Sequence, residues 1–178
     1  MNPSSVRSRQ MMKDALLVLM RKKPFDKITI TEITQEADLV RKTFYRNYGT
    51  KEDILDEYLN ELFEEYIHML LEAGELNNFL VKKMYFEFWQ KHFDFALLLK
   101  RNNLLIYILK MYDAYLPKMN QLFPCRDTGS YDDITIRYRN AFTSGAFWKT
   151  LCLWIEEGGR IPPEEMAERF TLMVTIQH

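Results

Sequence analysis

The segment from Val40 to Tyr48 brings cations and aromatic rings together on one short stretch, VRKTFYRNY. On a helix, Val40, Phe44 and Tyr48 recur every four residues and form one apolar edge. The opposite side carries four hydrogen-bond donors: Arg41, Lys42, Tyr45 and Arg46. Arg and Lys can donate to guanine O6 and N7, and Tyr and Thr hydroxyls can donate to phosphate oxygens. The pattern predicts a surface that contacts nucleic acid, and the alternative is a solvated basic face on a helical hairpin.

Charge divides the chain into two unlike parts. Residues 1–51 carry 11 Lys and Arg against 5 Asp and Glu, whereas residues 52–178 carry 13 against 20, and the whole chain has a net charge of −1. The second part also holds 21 of the 25 aromatic residues and six of the ten methionines. A basic head on an acidic, aromatic body indicates that the head meets an anion. Chance clustering of surface charge is the other interpretation.

No residue pattern supports catalysis or metal binding. His68, His92 and His178 are scattered, without a second ligand type at helical spacing. The sequence has no Walker, G-x-S-x-G or G-x-G-x-x-G motif. Its two cysteines, Cys125 and Cys152, are too few for a disulfide framework and are expected to be reduced thiols. We therefore expect a protein that is not an enzyme and has no cofactor and no metal.

The elements that must position the basic segment are helices. Residues 8–23 have an apolar face at helical spacing, and Pro24 should end that helix. Thr29 and Glu32 have the spacing of a capping box and predict the start of a second helix. Asp38 lies where the chain must turn before the short helix at about 40–47, and it tolerates the left-handed conformation. Two helices joined by a short turn predict a helix-turn-helix, which places its second helix in the major groove.

The rest of the chain is also expected to be helical. Thr50 should begin a long helix that Gly74 closes. Further helical patterns cover about 77–91, 92–101, 103–122, 130–157 and 163–176, with Pro117 expected to kink or break the third of these. Hydrophobic content is 47% and charged content 28%, as in soluble globular chains, and no apolar run is long enough to span a membrane. Because the first residues lack the apolar centre of a signal peptide, we expect a cytoplasmic protein. The helical patterns together predict an all-α fold with about nine helices.

The segment ITITEITQEADLVRKTFYRNYGTKEDIL resembles the tetracycline-repressor (TetR) family of bacterial regulators over about residues 10–60. Its part TFYRNYGTKEDIL is similar, almost residue for residue, to the family core T-[FIL]-Y-x-[HY]-F-x-[ST]-K-[ED]-x-L. The resemblance implies a three-helix DNA-binding head over residues 1–50. It also implies a larger helical body over residues 51–178, for effector binding and dimerisation, to which helix four joins the head.

The resemblance also implies roles for residues of the head. Thr43, Tyr45 and Lys51 would contact the phosphate backbone, whereas Arg41 and Lys42 would face base edges. Tyr45 would also reach a thymine methyl, and Thr29 and Thr31 would lie near a phosphate. The full set of expected DNA-binding residues is Thr29, Thr31, Arg41, Lys42, Thr43, Tyr45, Arg46 and Lys51. The expected partner is double-stranded DNA with a palindromic operator.

Two positions of the head depart from the family pattern. Asp38 stands where the family often has Gly, and Val40 stands where it often has Ser or Thr. Because Val cannot cap a helix, the recognition helix loses roughly 1 kcal/mol of local stability. Arg41 and Lys42 would give the recognition helix an unusual sequence preference, so the operator sequence cannot be taken from relatives.

The last two helices resemble those that pair across a twofold axis in this family. Small residues around Gly145 would let two helices approach closely, and bulky side chains stand beside them. The expected homodimer interface comprises Phe142, Gly145, Trp148, Met166, Phe170 and Met173. The alternative is that these residues form the core of the single chain.

The body also contains aromatic and Met residues that suit the wall of a cavity for an apolar or flat organic effector. The candidates are Trp89, Phe93, Tyr107, Met111, Tyr112 and Phe147. A solid core is again the alternative. The function expected from these features is a homodimeric repressor that a small ligand releases from DNA by shifting helix four as a lever. The alternative is an adaptor or co-activator whose body binds a protein partner instead.

Overall fold

The computed structural model describes residues 3–122 and 131–175, so Cys125 and His178 lie outside the described part of the chain. Within these ranges the chain forms nine α-helices and no strand, which confirms the all-α fold. The helices are α1 (Pro3–Lys22), α2 (Ile30–Glu36), α3 (Arg41–Asn47), α4 (Lys51–Glu72), α5 (Asn78–Lys91), α6 (Phe93–Arg101), α7 (Ile106–Leu122), α8 (Asp133–Glu156) and α9 (Pro163–Thr175). A single 3-10 turn, Phe25–Lys27, which we call the head turn, connects α1 to α2.

No helix in the described ranges is both long and apolar enough to cross a lipid bilayer.

The first three helices pack around Phe44, whose side chain is fully buried. Helix α1 contacts α2, α3 and α4, and it contributes Met12 and Leu16 to this core. The helix begins at Pro3, well before Met12, its first buried apolar residue. Proline is favoured at the first helical position because the missing N–H would have no partner there. The head is thus a small helical unit around one aromatic ring.

Local chemistry sets the ends of α2, α3 and α4 much as the sequence indicates. Thr29 and Thr50 cap α2 and α4 through complete capping boxes with Glu32 and Asp53. The turn between α2 and α3 has Asp38 in the left-handed region, at a φ of 52°. Helix α3 begins after Val40, which makes no side-chain cap. The recognition helix therefore starts without the hydrogen bond that its two neighbours have.

Helix α4 links the head to the body. It buries an apolar stripe along its length, including Ile54, Leu59 and Leu70, and it packs against α1, α5 and α7. In the body, α5 lies against α9, and α7 lies against α8. Pro117 does not break α7, which continues to Leu122. A proline forfeits one backbone hydrogen bond, and the packing of α7 along α8 and α4 keeps the turns on both sides helical.

Candidate nucleic-acid interface

Helix α3 has two faces of opposite character. Phe44 and Tyr48 are buried in the head, whereas Tyr45 keeps 54% of its surface exposed. The rings of Phe44 and Tyr45 meet edge to face, with their centroids 5.4 Å apart. This contact anchors the outward ring of Tyr45 on the core, so its direction is fixed although its surface is open.

Tyr45 in turn holds Arg41. The Arg41 Nη2 donates a hydrogen bond of 3.1 Å to the Tyr45 hydroxyl, and the guanidinium carbon lies 5.8 Å from the ring centroid. A guanidinium that is stacked and hydrogen-bonded on its own helix loses less side-chain entropy when it binds a ligand. The Tyr45 hydroxyl keeps its own hydrogen free to donate outward.

The outward side of α3 forms an open depression of about 530 Å³. It is lined by Val40, Lys42, Thr43, Tyr45 and Arg46. Among the described residues, the ion pairs of the chain involve none of the three cations of this helix. Within residues 3–122 and 131–175, the positive charge of Arg41, Lys42 and Arg46 therefore has no carboxylate partner and is available to an anion.

The start of α2 is more occupied than the sequence indicates. The Thr29 hydroxyl donates to Glu32 Oε2 at 2.8 Å and accepts the Glu32 backbone N–H at 3.3 Å. Glu32 also pairs with Lys23, and this bond, with those from Thr29, lowers the pKa of the Glu32 carboxyl to about 2. Thr31, two residues after the capping Thr29, is exposed in the first turn of α2. Of the two threonines, Thr31 is the one whose side chain faces solvent without a cap to maintain.

Lys51 has a role within the head that the sequence did not indicate. Its Nζ donates to the carbonyl oxygens of Phe25, Asp26 and Ile28, at 2.7, 3.2 and 2.9 Å. The same nitrogen lies 4.7 Å from the centroid of the Phe25 ring. An ammonium group has three donors, and all three are engaged by the head turn and the residue after it. The phosphate contact implied for Lys51 stays a prediction beside this structural role.

A charged network braces the far end of α3. The Arg9 guanidinium donates to the Asn47 carbonyl at 3.2 Å, pairs with Glu57 on α4, and lies 5.1 Å from the Tyr48 ring centroid. Lys13, one turn further along α1, is buried and pairs with Glu57 and Glu61. The sequence carried a signal for this network, because cations four residues apart on α1 match acids four residues apart on α4.

The six residues expected to line an effector pocket separate into an inner and an outer set. In the inner set, the Trp89 Nε1 donates to the Tyr112 hydroxyl at 2.9 Å, and that hydroxyl lies 2.8 Å from the hydroxyl of Tyr85. Met111, which precedes Tyr112 on α7, is also buried. The ring centroids of Phe147 and Tyr85 lie 4.8 Å apart. Burial raises the pKa of Tyr112 far above its ordinary value. Tyr85, which the sequence did not single out, is the centre of this cluster.

Phe93 and Tyr107 belong to other surroundings. The Phe93 ring lies 5.5 Å from that of Trp154, and the Tyr107 ring lies 4.7 Å from the Lys110 ammonium. These two residues are therefore not joined to the cluster of Trp89, Tyr112 and Tyr85.

The six residues expected at a dimer interface also separate. Phe142 and Met173 are more than half exposed, and a Cβ added to Gly145 would meet nothing within 4 Å. Trp148 is partly buried, with its Nε1 donating to the Leu105 carbonyl at 2.8 Å. Met166 and Phe170 differ from the expectation, because both are buried in the core of the chain itself. Phe170 packs against rings of α5 and α8, so its side chain is not free for a second copy.

Across the described ranges, no three His, Cys, Asp or Glu side chains come close enough to hold a metal ion.

Comparison with known proteins supports the interpretation of the head as a helix-turn-helix unit. Residues 14–58 match the sequence pattern of the bacterial regulatory proteins of the tetR family. A protein of Bacillus subtilis (strain 168), described as the uncharacterized HTH-type transcriptional regulator YxbF, is 35% identical over 79 residues. The matched segment covers 44% of this chain and 21% of that relative, so the chain spans about a fifth of the relative's length. The capped α2, the Asp38 turn and the two-faced α3 all lie within the matched segment, so the head of this chain is similar to the bacterial regulatory proteins of the tetR family over residues 14–58.

Proposed function

We propose that this protein is a transcriptional regulator of the tetR type, a homodimeric repressor that binds a palindromic operator and leaves it when a small apolar or aromatic ligand binds the body. The observation that carries the DNA-binding part is the outward face of α3. There, three cations that form no ion pair within the described part of the chain surround a tyrosine whose ring contacts the buried Phe44. In this proposal Arg41 and Lys42 read base edges, and Thr31, Thr43, Tyr45 and Arg46 contact phosphates.

Dimerisation follows from what one recognition helix can read. A single α3 of seven residues reaches only a few base pairs, and a twofold repeat multiplies both affinity and specificity. An exposed apolar stripe on the last two helices supports a second copy as the partner. Its members are Ile134, Tyr138, Phe142 and Leu153 on α8, and Leu172 and Met173 on α9. Such a stripe would be a liability on a monomer in water.

The proposal that a ligand releases the DNA is supported by the cluster of Trp89, Tyr112 and Tyr85. Its walls are aromatic, and its polar tips can orient a polar group of a ligand. A ligand that enters must replace the hydrogen bonds that these tips now make to one another. That exchange would move α5 against α7, and α4 packs against both helices.

The same hydrogen bonds favour a second candidate function, an adaptor whose body binds a protein. The hydroxyls of Tyr85 and Tyr112 and the Trp89 N–H are all satisfied without a ligand. A core that is complete by itself has less need of an effector. In that case the signal would arrive from a protein that docks on the body.

The DNA-binding proposal is tested by selecting bound fragments from the genome that encodes the chain, and then titrating the best duplex at several salt concentrations. We expect affinity to fall steeply with salt, because phosphate contacts release counterions. Lys42→Ala should relax discrimination at particular base pairs by about 1–3 kcal/mol. Lys118→Ala removes the same charge from the exposed surface of α7 and serves as the matched control. Equal losses for both variants on every duplex would contradict the assigned roles.

The two candidate functions of the body are separated by a thermal-shift screen with small aromatic compounds, followed by duplex release. A compound that raises the melting temperature and also releases the duplex supports the repressor. A compound that stabilises the protein and leaves DNA affinity unchanged contradicts the proposal that ligand binding shifts α4 and so releases the DNA. Failure of every compound, together with a protein that co-purifies on the body, favours the adaptor.

A further inference from the structure

The body reaches the head at a second place besides α4. Asn102 follows the last residue of α6, and its Oδ1 accepts the backbone N–H of Phe25 at 2.7 Å. Its Nδ2 donates to the Leu98 carbonyl at 2.9 Å and lies 3.4 Å from the Met20 carbonyl at the end of α1. One side-chain amide therefore joins the end of α6, the end of α1 and the head turn.

The head turn is held from two sides. Lys51 binds the carbonyl oxygens of Phe25, Asp26 and Ile28, and Asn102 binds the Phe25 amide N–H. The Phe25 ring is buried beneath the Lys51 ammonium. Because Ile28 precedes the capping residue Thr29, a displacement of this turn is passed directly to the first turn of α2.

Next to Asn102, the two helices α1 and α6 stand apart. A hollow of about 220 Å³ separates them, lined by Arg21 on α1 and by Asp94, Leu97, Leu98 and Arg101 on α6. Within the described ranges, the hydrogen bonds that connect the end of α6 with the head all come from Asn102. Asn102 therefore supplies the polar connection at this point, beside the buried apolar residues that α6 and the head share.

We propose that Asn102 is a positioning residue for DNA binding, which ties the position of α6 to the head turn and so to the start of α2. This inference rests on the proposed function, because a signal from the body has a use only if the head binds DNA. It adds to the α4 lever a route that does not pass along α4. A movement of α6 would pull directly on the Phe25 amide, in addition to any movement passed to α4 through the contact of Phe95 with Tyr58.

The first test measures hydrogen exchange in the protein without DNA. Removing the acceptor in Asn102→Ala should speed exchange at the Phe25 amide about fivefold, as expected for the loss of one hydrogen bond. Asn102→Asp keeps an oxygen for that N–H and loses only the amide donor, so its Phe25 exchange should stay within about twofold of the wild type. Wild-type exchange at Phe25 in Asn102→Ala would overturn the proposal, and so would equal acceleration in both variants.

The second test uses the selected duplex and the reciprocity of coupling between two sites. DNA binding to the wild type should slow exchange in α6, residues 93–101, as well as in the head. In Asn102→Ala the head should still be protected by DNA, and α6 should not. Asn102→Asp should keep the α6 response, and it provides a reading if Asn102→Ala does not fold.

The outcomes of the second test separate the two proposals. If DNA slowed hydrogen exchange in α6 as much in Asn102→Ala as in the wild type, the role proposed for Asn102 would be wrong. The same holds if DNA bound the wild type but did not slow exchange in α6. Neither result would contradict DNA binding itself. If the wild type bound no duplex, the proposed function itself would fail. The DNA-free exchange would then still decide whether Asn102 holds the head turn.

Discussion

At the scale of single residues, Lys51 separates a role in the fold from a role in DNA binding. Its three bonds to carbonyl oxygens hold the head turn, and hydrogen bonds from charged groups contribute about 1.5–3 kcal/mol each when buried. Because Lys51 is half-buried, we expect Lys51→Met to lower the free energy of unfolding by about 2 kcal/mol in a urea titration.

The control for this prediction is Lys42→Met, which changes an exposed lysine of the same head. Its free energy of unfolding should stay within about 0.5 kcal/mol of the wild type. If Lys51→Met instead left stability unchanged and reduced the salt slope of DNA binding by about one, Lys51 would be the phosphate contact that the family resemblance implies.

The ionisation of Glu32 should make the stability of the head depend on pH in the acidic range. The hydrogen bond from Lys23, followed by those from Thr29, lowers the pKa of Glu32 from 4.5 to about 2. Because the folded-state pKa lies below the ordinary one, the stabilisation is complete above about pH 4.5 and is lost as the pH falls toward 2. We expect the wild type to lose stability across this window more steeply than Glu32→Gln, in urea titrations at stepped pH.

The Glu32 midpoint can also be read directly, by following its carboxyl carbon in an NMR titration. Lys23→Met removes the largest cause of the shift and should move the midpoint upward. A wild-type midpoint near 4.5 would show that the Lys23–Glu32 pair does not persist in solution.

At the scale of elements, the start of α3 is the weakest helix end in the head. Val40 is 70% exposed and makes no cap, whereas Thr29 caps α2 completely. Val40→Ser should raise the free energy of unfolding by about 1 kcal/mol, and Thr29→Val should lower it by about the same amount. Both values come from urea denaturation. If Val40→Ser had no effect, the uncapped N–H groups of α3 would already be satisfied by water.

The helices themselves were largely predictable from the sequence, because their signals are local. The capping boxes at Thr29 and Thr50, the Asp38 turn and the two faces of α3 all rest on residues within a few positions of one another. The start of α1 at Pro3 was missed because its first turns are polar and carry no apolar period. Of the kink or break expected at Pro117, the break does not occur, because neighbouring helices decide whether a proline ends a helix.

The candidate site was predictable only in its exposed part. The outward cations of α3 follow from helical spacing alone. The bonds of Lys51 and Asn102 to the head turn were not predictable, because they join segments 26 and 77 residues apart in sequence. For the same reason, Met166 and Phe170 could not be assigned to the core before the packing of α5 against α9 was known.

At the scale of the whole molecule, the two heads of a dimer can read a palindrome only if the bodies hold them at a fixed separation. The exposed face of α8 contains Phe142 and Gly145, and Gly145 has an ordinary helical conformation with open space beside it. In an isolated chain, a larger residue at this position should favour the helix, because Gly costs about 1 kcal/mol relative to Ala in a helix interior. A glycine beside the exposed Phe142, with open space next to it, is useful where a second helix packs closely across it.

We therefore expect Gly145→Leu to dissociate the proposed dimer without unfolding the chain. Sedimentation should show monomers at concentrations where the wild type is dimeric, and circular dichroism should show undiminished helix. Asn60→Leu adds the same side chain to an exposed position on α4 and should leave the dimer intact. DNA affinity should fall with dimerisation, because a monomer binds one half-site alone. If Gly145→Leu remained a dimer with unchanged DNA affinity, the bodies would pair through another face, and the exposed stripe of α8 would be left for a protein partner.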